Sequence, residues 1–255
     1  MTTAVLAQPK EIDEIDYPES DGKPVAETPI HFNAIVSAYQ HFEDRYRDDP
    51  FVMVAANNFC YYKKGDASAQ FSPDVYVVFG VPKKPPRHVY KIWEEKEIPP
   101  RVIFEFSSRS TKDEDLIFKM NLYEKLGVKE YFLFDPENDY LKPPLQGYRL
   151  RGGRYRLIAA EPDGTLGCRE MKLKVRIAMG GELLEFIDTE TGEKLLSHEE
   201  ARRAAEEKTR RAQEVARQSQ ESEQRAKEAR NRAESELARL RAELARLKNP
   251  PPSSV

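Results

Sequence analysis

From His198 to Lys248 the chain contains neither glycine nor proline, and nearly half of the side chains there are charged. A stretch so polar on every face cannot lend an apolar side to a globular core; it reads as one long solvated helix. Ser197 with Glu200 three residues later forms a capping box at its start, and Asn249 with Pro250–Pro252 ends it. Any core is therefore confined upstream. The sequence divides into an extended segment over 1–27, rich in Pro, Glu and Asp, one αβ domain over 28–195, the charged helix over 197–248, and a disordered tail over 249–255.

The helix holds fourteen Lys and Arg against eleven Asp and Glu, a surplus of three positive charges. The whole chain carries −3, so the remainder carries −6. An acidic domain argues against binding nucleic acid by bulk charge alone, yet it is compatible with a site that holds a cation. A heptad register puts Ala205, Ala212, Ala216, Ala226, Ala233, Leu237, Leu240, Leu244 and Leu247 on its two seam positions, with Thr209, Ser219, Glu223 and Arg230 interrupting. Two readings stand: a helix held by i,i+4 charge pairs, or a weak coiled coil that zips a homodimer at its C-terminal end. Cys60 and Cys168 are far apart and in no metal-binding spacing; one disulfide is arithmetically possible, and two buried thiols are the expectation for an intracellular protein. Met1 to Tyr17 lacks the pattern of a secretory signal, and the longest apolar run, Val75–Val81, is too short to span a bilayer. The expectation is a soluble, cytoplasmic protein with no membrane segment.

Within the domain, Ile30, Ala34, Ile35, Ala38, Tyr39 and Phe42 recur at helical spacing and predict a helix over Thr28–Tyr46, with Pro29 in its first turn. Phe51–Ala56 and Phe59–Tyr62 read as a hairpin turned at Asn57-Asn58, and Phe71–Gly80 as a strand. Residues 82–100, with five prolines and several lysines, read as an exposed excursion. Arg101–Phe106 is a strand, and Thr111 with Glu114 opens a helix that stops at Gly127. Tyr131–Phe134 is a strand, and Tyr148–Leu150 with Tyr155–Ile158 a hairpin turned at Gly152-Gly153. The strand–helix–strand order over 102–134 predicts an α/β (α+β) architecture, a mixed central sheet flanked by helices.

Two carboxylates stand out. Glu105 lies inside Val102-Ile103-Phe104-Glu105-Phe106, a strand apolar on both sides, where an unpaired charge would cost several kcal/mol. A structural salt bridge is one explanation. Asp74 follows Pro73 at the entry to another strand and, taken singly, is an ordinary turn aspartate. Together they can converge at one end of a strand pair. Two such oxygen ligands, completed by a backbone carbonyl and waters, suit Mg²⁺ or Mn²⁺.

Pro73-Asp74 followed by Glu105-Phe106-Ser107 resembles the PD-(D/E)XK nuclease motif, and more closely the Uma-two family of bacterial restriction-endonuclease-type proteins. Supporting blocks are Val77–Val81, Ser107–Thr111, Lys119 with Tyr123, Gly127–Tyr131, Asp135-Pro136, Gly147–Leu150 and Thr191–Glu193, in order over about residues 21–195. The resemblance implies a restriction-endonuclease-like fold, DNA as substrate and Mg²⁺ as cofactor. It makes Asp74 and Glu105 metal ligands, with the Phe106 carbonyl completing the set. The superfamily's lysine two residues after the glutamate is Ser107 here. Lys119, on the following helix, matches a lysine that the family carries instead. Lys119 either reaches back to the metal end of the sheet or lies along the stripe of Leu116, Met120 and Tyr123. Glu27 matches an acidic family position ahead of the first helix. His31 matches another, although a single histidine there also suits capping or packing.

Two functions follow: a metal-dependent endonuclease using Asp74, Glu105 and Lys119, or a catalytically silent nuclease fold acting as a binding and assembly module through its long helix. For phosphate contact the candidates are Lys83, Lys84, Arg87 and Lys91, in the Pro- and Lys-rich segment, with exposed loop charge as the alternative.

Overall fold

The computed structural model describes residues 15–20, 28–83, 87–108 and 114–248, with side chains omitted at 114–116 and 245–248. The chain divides into two compact units, Met1–Ser197 and His198–Val255. Glu27, Lys84, the Thr111 half of the expected capping box and the tail over 249–255 lie outside the described residues.

The first unit is organised by a six-stranded sheet. Its strands are β1 (Val52–Ala55), β4 (Val75–Phe79), β6 (Val102–Phe106), β7 (Glu130–Phe134), β8 (Leu145–Arg151) and β9 (Arg154–Leu157), adjacent in that order. All neighbours are antiparallel except β6 and β7, which the helix between them makes parallel. Strand periodicity sends alternate side chains to opposite faces, and here both faces are covered. Val75, Val77, Val102, Phe104, Phe132 and Phe134 enter one core, whereas Tyr76, Val78, Ile103, Tyr131 and Leu133 enter the other.

The first core is closed by α1 (Pro29–Arg45) and by a three-stranded sheet of β10 (Leu166–Cys168), β11 (Leu173–Ile177) and β12 (Leu184–Asp188). Thr28 caps α1, its hydroxyl accepting the His31 N–H at 3.2 Å. Phe104 stacks on Phe132 at 4.7 Å between ring centres, and Phe42 meets Phe186 at the same separation. This stack explains Gly147, because a methyl group there would sit 2.9 Å from the Phe132 ring. Glu130 is buried and ties the two sheets together. It accepts from Arg149 at 2.7 Å, from the backbone N–H groups of Arg169 and Glu170, and from the Cys168 thiol. The other core lies under α2 (Met120–Leu126) and a small sheet of β2 (Cys60–Tyr61), β3 (Gln70–Phe71) and β5 (Tyr90–Lys91). Tyr17, from the segment ahead of α1, packs on this sheet against Tyr61 and Trp93.

Two sequence expectations are corrected, and one sheet goes beyond them. The predicted hairpin at Asn57-Asn58 does not form: β1 pairs with β4, and β2 crosses to the small sheet. Asn57 adopts a left-handed φ of 51° and gives its N–H to the Pro73 carbonyl, while Asn58 accepts the Tyr76 hydroxyl, so the asparagines end a strand instead of reversing it. The proline-rich segment is not wholly an excursion, since Tyr90, Ile92 and Glu95 are buried. The sheet β10–β12 was not anticipated. By contrast, the Gly152-Gly153 hairpin forms, with both glycines at positive φ. Cys60 and Cys168 are free and buried.

The second unit is the helix α3 (His198–Lys248). Its described side chains are exposed and it is laced by pairs such as Arg203–Glu199, Arg217–Glu221 and Arg230–Glu234. Among the described residues no helix is long and apolar enough to cross a membrane.

Arg45 near the end of α1 donates to Asp188 at the end of β12 at 2.6 Å and to the Met171 carbonyl, which fastens the helix to the three-stranded sheet. The N–H groups of Thr191 and Glu190 also donate to Asp188, and first the Thr191 bond, then Arg45, hold its carboxyl down at about 2. A carboxyl whose folded value lies below its unfolded value of 3.8 stabilises the fold above that value, and the contribution fades as the pH falls toward 2. Asp188→Asn should therefore lower unfolding free energy by about 1–2 kcal/mol at neutral pH, allowing for screening at this edge, with the gap to wild type closing between about pH 4 and 2. Urea titrations across that range would check it; a gap independent of pH would refute the charge account.

Candidate active site

The pairing of β4 with β6 sets the geometry. Val75 stands opposite Phe104, and continuing that register by one residue places Asp74 opposite Glu105. Directly opposed residues in an antiparallel pair project from the same face, so both carboxylates emerge together at the strand ends. Two residues out, Pro73 falls opposite Phe106. Proline has no N–H to complete the ladder there, and the Phe106 N–H turns instead to Asp74 Oδ2 at 2.7 Å. The Asp74 N–H in turn donates to Glu105 Oε2 at 3.3 Å. A strand residue sends its N–H and C=O to the same side, so the Phe106 carbonyl also faces the Asp74 side.

Glu105 is 1% exposed and shares its face with Ile103, toward α2. A wide, π-type turn over Glu114–Lys119 leads into that helix, and such turns often shape functional sites. Lys119, the last residue of the turn, extends its ammonium to 3.0 Å from Glu105 Oε2, with its side chain 13% exposed. One turn on, the Tyr123 hydroxyl donates to Glu105 Oε1 at 2.5 Å. Burial first, and the Glu105 charge second, push the Tyr123 phenol well above its ordinary value, so it remains a donor at every physiological pH. His31, in the first turn of α1, brings Nε2 to 3.9 Å from Asp74 Oδ2. Ser107, in the place of the motif's lysine, is buried and gives its N–H to the Phe134 carbonyl.

The structure thus gathers Asp74, Glu105, Phe106 and Lys119. Lys119 turns inward onto the glutamate instead of lying along the apolar stripe. Lys83, Arg87 and Lys91, the described candidates for phosphate contact, are not part of this cluster. Lys83 pairs with Glu43 at 2.7 Å, Arg87 with Glu95 at 2.9 Å, and Lys91 with Glu94 while lying over the Tyr17 ring. Tyr123 is the functional candidate whose contact sequence reasoning missed. Its signal was the four-residue spacing from Lys119, which puts both side chains on one helix face.

The family model described as "Putative restriction endonuclease", named Uma2, matches residues 5–179. The chain belongs to the Uma2 family. A solved structure from Anabaena variabilis ATCC 29413, described as "a putative nuclease belonging to DUF820", aligns at 15% identity with a TM-score of 0.42, covering 60% of this chain and 81% of that one. Among curated proteins nothing matches. Membership and the mixed sheet together identify a restriction-endonuclease-like fold, and Asp74 and Glu105, the two carboxylates that the sequence singles out, are the ones that the β4–β6 register brings together.

A divalent ion finds a fitting donor set here. Among the described residues no group of three or more His, Cys, Asp and Glu side chains gathers to hold a metal. Mg²⁺ does not require one, since it is commonly held by one or two carboxylates with waters and substrate phosphate. Asp74, Glu105 and the Phe106 carbonyl are three hard oxygen donors on one edge; Glu105 Oε2 already accepts from Lys119 and the Asp74 N–H, and Oε1 from Tyr123, so an ion held there would share the carboxylate with these donors.

If Tyr123 holds Glu105 through its hydroxyl, Tyr123→Phe should lower stability by about 2 kcal/mol. A double-mutant cycle with Glu105→Gln in urea should then give a coupling of about 1 kcal/mol or more. Additive effects would mean that the phenol fills space and no more.

Proposed function

We propose that this Uma2 protein is a metal-dependent endonuclease that hydrolyses DNA phosphodiester bonds. The observation that carries the reading is the Lys119 ammonium seated on Glu105 beside Asp74, which supplies from a helix the positive charge that Ser107 cannot. Asp74, Glu105 and the Phe106 carbonyl would hold Mg²⁺ or Mn²⁺. When bound, that ion supplies an activated water and charge stabilisation at the phosphate. Lys119 orients the attacking water and offsets charge building on the phosphoryl oxygens, a role worth about 10²-fold or more where such donors have been removed. Tyr123 positions Glu105, and the Pro73 interruption presents the Phe106 carbonyl. Glu27, carried over from the family alone, is a further acidic candidate.

A specific observation favours a second reading. Glu105 already receives Lys119 on one oxygen and Tyr123 on the other, as a structural ion pair would, and a catalytically silent nuclease fold used as a binding and assembly module would keep that pair. A plasmid-nicking assay with Mg²⁺ or Mn²⁺ separates the two. The nuclease reading expects metal-dependent cleavage that Asp74→Ala and Glu105→Ala abolish and that Lys119→Ala reduces by about 10²-fold or more. No cleavage by the wild type, or cleavage indifferent to these changes, assigns the silent module.

For α3, the partner we propose is a second copy of the chain. Leu237, Leu240 and Leu244 are each about half exposed and recur at intervals of three and four. Sedimentation equilibrium should show a dimer that Leu240→Lys with Leu244→Lys converts to monomer; an unchanged mass would remove the helix from the interface. The two buried free thiols suit a reducing compartment, and the cytoplasm is the proposed location.

A further inference from the structure

The β8–β9 hairpin carries arginines in opposition. Arg149 stands across from Arg156, and Arg151 across from Arg154. Like charges directly opposite one another destabilise a strand pair, so folding alone does not account for the arrangement. Two of the four are compensated. Arg154 reaches Glu124 at 2.9 Å, and Arg149, 16% exposed, is pinned by the buried Glu130 at 2.7 Å and by the Gly167 carbonyl at 2.6 Å. Arg151 and Arg156 are exposed, as is Arg169 from the corner after β10, and none of these three has an ion pair among the described residues.

These three arginines and Arg149 line one cleft of about 340 Å³. The single carboxylate in its wall, Glu161, is taken by Lys174 at 2.5 Å. A cleft with three uncompensated guanidinium groups has therefore been assembled in a chain whose net charge is −3. Edge strands do carry charge that deters pairing with another sheet. That purpose needs no convergence on a cleft, and no largely buried, anchored arginine among its lining. Planar guanidinium forks match phosphate oxygens in pairs of hydrogen bonds.

We infer that this cleft is a second anion site, which takes phosphate groups of a nucleic-acid backbone. The choice of polyanion rests on the nuclease reading; the cleft's charge does not. Arg149 is level with Glu130 at the start of β7, whereas Glu105 is level with Leu133 toward its end. The arginines thus lie toward one end of the sheet at its β8–β9 edge and the carboxylates toward the other end on β4 and β6, and either set can be altered without touching the other.

The test is equilibrium binding of a short labelled DNA duplex to the full chain in EDTA over a series of KCl concentrations. Wild type is compared with Arg151→Gln/Arg156→Gln and with Arg154→Gln, whose side chain pairs outside the cleft. The double variant should bind about tenfold or more weakly, and its log–log salt slope should fall by about two, near 0.9 for each phosphate no longer neutralised. Arg154→Gln should match wild type, and urea titrations should show all three folded. Equal affinity and slope in the double variant and wild type would overturn the inference, as would absence of duplex binding by wild type. A parallel titration with inorganic tripolyphosphate identifies the source of the phosphate. Arginine-dependent binding of tripolyphosphate with unaltered duplex binding would assign a free phosphate compound and overturn the nucleic-acid assignment. Arginine-dependent duplex binding would support the cleft even if plasmid nicking failed, so the two readings fall separately.

Discussion

A carboxylate at the centre of a sheet covered on both faces must be answered by donors or a cation, and Glu105 is that group here. Strand β6 is flanked by β4 and β7 and packed above and below, so water does not solvate the charge. Its partners come from three directions: the Lys119 ammonium, the Tyr123 hydroxyl, and the Asp74 N–H across the strand pair. The rotation of α2 over the sheet, the register of β4 against β6 and the proline that interrupts it are thus all tied to one buried group. Loss of a single partner leaves the carboxylate under-compensated, which is more damaging than removing the whole set.

Glu130 shows what a purely structural solution looks like. It too is buried in a strand of aromatic and aliphatic residues, but its oxygens are met by a guanidinium, two backbone N–H groups and a thiol, all within the body of the fold. Glu105 lies near the end of its strand, next to a second carboxylate and a carbonyl that Pro73 cannot engage. Burial and charge alone do not distinguish the two glutamates. The distinction lies in what surrounds each: protein donors meet both oxygens of both glutamates, and Glu105 alone has the Asp74 carboxylate opposite it across the strand pair.

That comparison also explains which parts were legible in the sequence. The β-prone apolar runs Val75–Phe79 and Val102–Phe106, the Thr28–Pro29 helix start and the glycine turn at 152–153 are local signals, and the structure carries them as read. The convergence of Asp74 with Glu105 was legible from the motif, because the strand pairing is short-ranged in topology even across thirty residues. What could not be read was partner choice. Asn57-Asn58 has turn chemistry, yet whether β1 meets β2 or β4 depends on which long apolar strand is available to cover it. Leu173-Lys174-Val175-Arg176-Ile177 does alternate and could have been assigned as a strand, but the flanking glycines and charges obscured it. Likewise nothing local to Glu130 reveals its burial; Arg149, nineteen residues on and opposite it in the sheet, and the donors of residues 168–170 account for it.

Charge distribution makes the same point about binding. Judged by composition, the Pro- and Lys-rich segment was the natural place to seek phosphate contacts, because its cations cluster in sequence. In the fold Lys83, Arg87 and Lys91 are each matched by a glutamate, so their field is largely local. The arginines of β8 and β9 are as dense, four within residues 149–156, but each is separated from the next by apolar, aromatic or glycine residues, and only the pairing of the two strands brings them face to face. A domain of net negative charge can present a positive cleft because potential depends on which charges lack a neighbour of opposite sign, not on their sum. Sequence counts the charges; only the strand register reveals which of them remain uncompensated.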